Sequence, residues 1–105
     1  MTIVHRRVFF GKVGTADRIV KLCREFEKAA RKYGFNIKTT RVMTDYFNGR
    51  TDRVAWAWEV DSLAALDAGM NKIMSNSKGK AEFDRLFGQL SQLIDHAEVE
   101  NWTLQ

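Results

Sequence analysis

Residues 3–13 (IVHRRVFFGKV) alternate. Val4, Val8 and Phe10 fall on one side, and Ile3, His5, Arg7 and Phe9 on the other. A period of two is the mark of a strand. Gly14 and Thr15 break the pattern, Thr15 as a candidate helix cap and Asp17 as an acid suited to a first turn. From 16 to 33 the apolar positions Ile19, Leu22, Cys23, Phe26, Ala29, Ala30 and Tyr33 keep a helical spacing, and Gly34 stands where a left-handed C-terminal residue belongs. Residues 36–47 predict a second strand, rich in Thr and basic residues and therefore at an edge. Asn48-Gly49 signals a hairpin. Residues 53–60 predict a third strand with Val54, Trp56, Trp58 and Val60 on one face and Ala55 and Ala57 on the other.

Asp61 or Ser62 caps the next helix, whose stripe is Leu63, Leu66, Met70, Ile73 and Met74. The polar stretch from Ser75 to Gly79 interrupts it. A further helix carries Phe83, Leu86, Phe87, Leu90, Leu93, Ile94 and Ala97 on one face, with His96 near its C-terminal end, and a short strand over 99–104 closes the chain. The order β-α-β-β-α(α)-β predicts an α+β fold, the ferredoxin-like split βαβ, with a four-stranded antiparallel sheet. Residues 1–105 read as a single domain, since 105 residues are too few for two. Helices on one face of such a sheet leave the other bare. The inner strands are then the first and third, and the reading puts the tryptophans of the third on that bare face. Pairing two such faces in a homodimer would cover the apolar patch.

At this point the chain resembles the dimeric α/β-barrel superfamily, in its NIPSNAP-like and antibiotic-biosynthesis-monooxygenase-like branches. The residues that carry the resemblance are Trp58-Glu59-Val60-Asp61-Ser62-Leu63, the helix after them, the break from Ser75 to Gly79, the helix from Phe83 to Ile94 and a terminal strand containing Trp102. The match covers essentially the whole chain as layout and pattern. The resemblance implies homodimers whose sheets form a shared barrel. It also implies that some members are cofactor-independent oxygenases and some degrade haem, while many have no known activity. The oxygenase branches use an Asn on the first strand with a Trp and a His near the third strand and second helix. Here the first strand has His5 and Arg7, Trp56 and Trp58 stand in for the Trp, and Met70, Asn71 and Lys72 supply no His. The set is incomplete, and haem-degrading chemistry is not expected.

Composition narrows the choices. A chain 45% hydrophobic and 29% charged is built to fold. No apolar run approaches the ~20 residues of a membrane helix, no secretory leader is expected at the start, and Cys23 as the single cysteine suits a reducing, cytoplasmic setting. Residues 1–53 hold 13 Lys/Arg against 5 Asp/Glu, whereas 54–105 hold 4 against 8. The basic half suggests an anionic partner, but Asp17 with Lys21 and Glu27 with Arg31 sit at i,i+4 and partly neutralise the first helix.

The candidate chemistry rests on few residues. His5 and Arg7 share a face and are the candidate catalytic pair, a base and an anion-stabilising guanidinium in a pocket between sheet and helices, where one of the two tryptophans of the neighbouring third strand is expected to join them. The plainer alternative for His5 is an exposed strand-end residue. Trp56 and Trp58 are candidates to stack on a planar substrate, or else core and interface anchors. Arg41 and Tyr46 are further candidate substrate contacts, with Arg41 on the face of Asp45. Cys23 reads as a buried, inert thiol and His96 as structural. No cofactor and no metal site are predicted, because two separated histidines offer no ligand cluster. Three functions follow in order: a monooxygenase-like enzyme taking a small aromatic ligand, a non-catalytic ligand-binding or stress-related dimer, and an RNA-recognition module. The last has the aromatic spacing in Val54-Ala55-Trp56-Ala57-Trp58 but Val and Ala where the motif needs a basic residue and Gly, so nucleic acid is an unlikely partner.

Overall fold

The computed structural model describes residues 1–45 and 51–105. The elements are β1 (Thr2–Gly11), α1 (Ala16–Lys32), β2 (Lys38–Asp45), β3 (Arg53–Val60), α2 (Leu63–Ser75), α3 (Ser77–Leu93) and β4 (Ile94–Leu104). They form an antiparallel sheet in the order β2-β3-β1-β4, the ferredoxin-like arrangement. The Asn48-Gly49 hairpin lies outside the described residues. No helix among the described residues is long and apolar enough to cross a membrane.

Register decides which side chains meet. Ile3, His5, Arg7 and Phe9 of β1 stand opposite Val60, Trp58, Trp56 and Val54 of β3. All eight look toward the helices. Buried Ile19, Leu22, Phe26, Phe83, Leu86 and Leu90 of α1 and α3 close over them, and Ile73 of α2 completes the core. The tryptophans therefore lie beneath the helices, 5% and 3% exposed, and not on the bare face. That corrects the sequence expectation. A strand's alternation separates two faces but does not say which one the helices cover.

The bare face is built from the other parity: Val4, Arg6, Val8 and Phe10 of β1, the small Ala55 and Ala57 of β3, Arg41 and Met43 of β2, and His96, Glu98, Glu100 and Trp102 of β4. An extra residue in β2 between Lys38 and Arg41, where Thr39 has φ 52°, shifts the register against β3. Met43, Trp102 and Leu104 remain exposed.

Helix boundaries follow local chemistry. Ser62 caps α2, its Oγ accepting from the Ala65 N–H at 3.0 Å, and the Asn76 Oδ1 accepts from Lys78 and Gly79 to start α3. Gly34 ends α1 with φ +100°. Thr15 does not cap α1. Its hydroxyl turns to the carbonyls of Lys12 and Leu93, and Asp52 takes its place, accepting from the Ala16 N–H at 3.0 Å. Asp52 sits 36 positions away in sequence, beyond the reach of a local capping rule. The last strand begins at Ile94, so Ile94 and Ala97 are strand residues and His96 is not at a helix end. His96 instead stacks on Phe10, with ring centroids 4.2 Å apart. The Glu27 carboxylate turns to Arg24 and Trp56.

Candidate functional site

Between the sheet and the helices lies a narrow cleft, open on one side, with a free interior of only about 20 Å³. Its walls are Phe9, Trp56 and Trp58 from the sheet, Phe26 and Ala30 from α1, Phe35 and Ile37 from the approach to β2, Met70 from α2, and Phe83 and Phe87 from α3. Arg7 is the one charged residue in this lining. Apolar walls with few polar groups are the usual make-up of a small-molecule pocket.

The aromatic wall is ordered by mutual contacts. The Trp56 and Trp58 rings are 4.5 Å apart at 49°, Phe26 stacks beside Trp56 at 5.8 Å, and Phe35 meets Trp58 edge-on. Trp56 is also fixed by its indole N–H, which donates to the Glu27 Oε1 at 3.1 Å. Glu27 is buried on α1 and shared with Arg24. The Trp58 Nε1–H is buried and has no acceptor among the described residues. Phe87 and the half-buried Met70 lie at the solvent side of the wall.

His5 is 2% exposed, its ring 4.6 Å from that of Trp58. The Arg7 Nε donates to its Nε2 at 3.1 Å. A guanidinium nitrogen can only donate, so Nε2 carries the lone pair and Nδ1 carries the proton. Nδ1 then donates to the Asn101 Oδ1 at 2.7 Å. Burial pushes the His5 pKa below its ordinary value, the Arg7 charge lowers it further, and the Asn101 bond opposes both. The imidazole is thus neutral, with both nitrogens engaged. Its lone pair is committed to Arg7, so it supports the guanidinium instead of standing free as a base.

Burial also lowers the Arg7 pKa. Among the described residues no carboxylate pairs with it within 4.0 Å, and the hydrogen-bond partner of its side chain is His5. Arg7 and Met70 also line an outer groove with Leu63, Ala64, Leu66 and Asp67 of α2. Arg7 therefore stands where the aromatic cleft meets the surface.

The structure brings together four of the six sequence candidates: His5, Arg7, Trp56 and Trp58. Arg41 is on the opposite face of the sheet, against Ala57, and does not join them. Asp45, on that face, pairs with Arg53. Tyr46 lies outside the described residues. Sequence reasoning missed Asn101 and Glu27. Glu27 left a trace, as an acid beside the apolar stripe of α1. Asn101 left none, since only the β1–β4 register places it opposite His5.

No family model matches the chain, and no curated protein matches it. Solved structures do. A NIPSNAP family protein from Agrobacterium tumefaciens superposes with a TM-score of 0.71 at 22% identity, covering 100% of this chain and 94% of that one. An uncharacterised NIPSNAP domain protein from Burkholderia xenovorans gives 0.76 at 13% identity, covering 98% and 94%. A second Agrobacterium tumefaciens NIPSNAP family protein, of unknown function, gives 0.73 at 13%, covering 96% and 86%. The chain has the NIPSNAP-like α/β fold, as its sequence pattern led one to expect.

Proposed function

We propose that this protein is a homodimer that binds a small planar, aromatic organic molecule in the cleft between sheet and helices. The observation that carries the reading is the cleft itself, walled by Trp56, Trp58, Phe26, Phe35, Phe83 and Phe87 with a single charged group at its edge. The cleft is narrow as it stands, and a planar guest would enter as Met70 and the exposed Phe87 at its mouth move aside, its ring then lying against the tryptophans. Binding leads over catalysis because the His5 lone pair is already taken by Arg7. An oxygenase working without a cofactor needs a free base. The dimer is supported by the bare sheet face, where Val4, Phe10, Met43, Trp102 and Leu104 add apolar area. A cytoplasmic setting suits the unpaired, buried Cys23. The burial of Trp56 and Trp58 speaks against an RNA module, which displays its stacking aromatics on the open face.

The test uses a Trp102→Phe variant, so that fluorescence comes from the two buried tryptophans. Titration with two-ring aromatics, neutral and anionic, should quench that emission saturably, and Met70→Phe, which narrows the cleft without adding a second source of emission, should weaken the effect. Absence of saturable quenching by every member of the panel would remove the proposal.

A further inference from the structure

We infer that the occupant of the cleft is a monoanion, an aromatic or other planar carboxylate whose charged end is gripped by Arg7 while its ring lies against the tryptophans. The inference rests on the reading of the cleft as the binding site and specifies its substrate class.

Three observations lead to it. First, Arg7 is a half-buried cation without a partner carboxylate among the described residues. Burying a charge without a counter-charge is strongly unfavourable. A fold that keeps such a group at the edge of an apolar cleft has left its counter-ion to come from outside. Second, the guanidinium is held in one orientation. It has five N–H donors, and His5 takes the one on Nε. The four on the two Nη atoms remain, and that end of the fork matches the two oxygens of a carboxylate. His5 is itself fixed by Asn101, so the chain Asn101–His5–Arg7 sets the direction of the grip before any ligand arrives. His5 and Asn101 are positioning residues in this arrangement. Third, the buried Trp58 N–H in the same lining has no acceptor among the described residues. A second oxygen on the ligand would satisfy it.

The charge of the ligand follows from its surroundings. One guanidinium balances one negative charge, and the aromatic walls offer nothing to solvate a second. Asp67 lines the outer groove beside Arg7 and Met70 and would repel a phosphate dianion. A singly charged carboxylate meets about half the repulsion from Asp67 and brings no second charge to solvate.

A matched pair of ligands separates this inference from the broader reading: 2-naphthoate and 2-naphthamide, which share a ring system and differ in charge. Both are titrated into the Trp102→Phe protein and into Arg7→Met, Arg7→Lys and His5→Gln variants on that background. The expected result is tighter binding of naphthoate. Arg7→Met should weaken naphthoate by at least about tenfold, the scale of a charge-assisted hydrogen bond, and leave naphthamide unchanged. Arg7→Lys should restore part of the loss. His5→Gln, which keeps an acceptor for Arg7, should lose less than Arg7→Met. Equal affinity for the two ligands, or an equal loss of both in Arg7→Met, would overturn the carboxylate inference and leave the planar-ligand reading standing. Failure of both ligands to bind would overturn the two together.

Discussion

Gly69→Ala is the substitution whose outcome two principles predict with opposite signs. Gly69 lies in the interior of α2, and alanine there gains about 0.8–1 kcal/mol of helix propensity. Packing argues the other way. A Cβ at this position would stand 2.3 Å from Phe35 Cδ1, 2.5 Å from Cε1 and 2.6 Å from Cγ. The clash is with the flat of a ring, and that ring is 7% exposed and set edge-on against Trp58. It has no free end to swing aside. Relief requires α2 to lift or Phe35 to leave its site, at the ~1–3 kcal/mol typical of an overpacked core. Because the contact is more than 1 Å too close at three atoms, the upper part of that range applies, and the net effect is a destabilisation of about 1–2 kcal/mol. Urea unfolding followed by far-UV dichroism measures it, with an unchanged slope showing that the native state stays compact. Phe35 also walls the cleft, so ligand-dependent quenching should weaken in the same variant. A Gly69→Ala protein as stable as the parent, or more so, would show that α2 does not seat its glycine on Phe35.

Other outcomes are equally definite. The Cys23 thiol is pushed up to about 12 by burial and by the nearby Glu27 carboxylate, so a disulfide reagent at pH 8 should modify it only as fast as the protein unfolds, and rapid labelling of native protein would contradict its place in the core. The folded chain holds the His5 pKa below 6.5, so the unfolded state takes up the proton first; stability should be full above about pH 6.5 and fall as pH drops below it, and thermal melts of His5→Gln should lack that step. The Asp52 carboxyl lies below its ordinary 3.8, chiefly through the Ala16 N–H, so a second loss should begin below that pH and vanish in Asp52→Asn. Light scattering at tens of micromolar should give a dimer mass for the parent and a monomer mass for a Phe10→Glu/Trp102→Glu double variant, and a monomeric parent would refute the pairing of sheet faces.

The sequence by itself determined the element order and, through it, the fold. Alternation over 3–13 and 53–60 and the unbroken stripe of α1 each follow from side-chain periodicity, a local property that survives any tertiary arrangement. The pairing of His5 with Arg7 on one face, and of Trp56 with Trp58 on another, was legible for the same reason. That the two pairs would meet was expected from the adjacency of the first and third strands, but which face the helices cover was not legible. Alternation is symmetric between the two sides of a strand, so the sequence reading set the tryptophans outward where the register set them under the helices beside His5 and Arg7. The partners that give the site its character come from far along the chain: Asn101 from β4, 96 positions from His5, and Glu27 from α1, 29 positions from Trp56. Asp52 in place of Thr15 at the start of α1 is the same lesson in a smaller compass. Local spacing predicts what a segment becomes. Only the packed sheet decides whose lone pair is occupied, whose charge is left unpaired, and which aromatic rings wall a cleft, because those depend on register between strands that sequence distance does not encode.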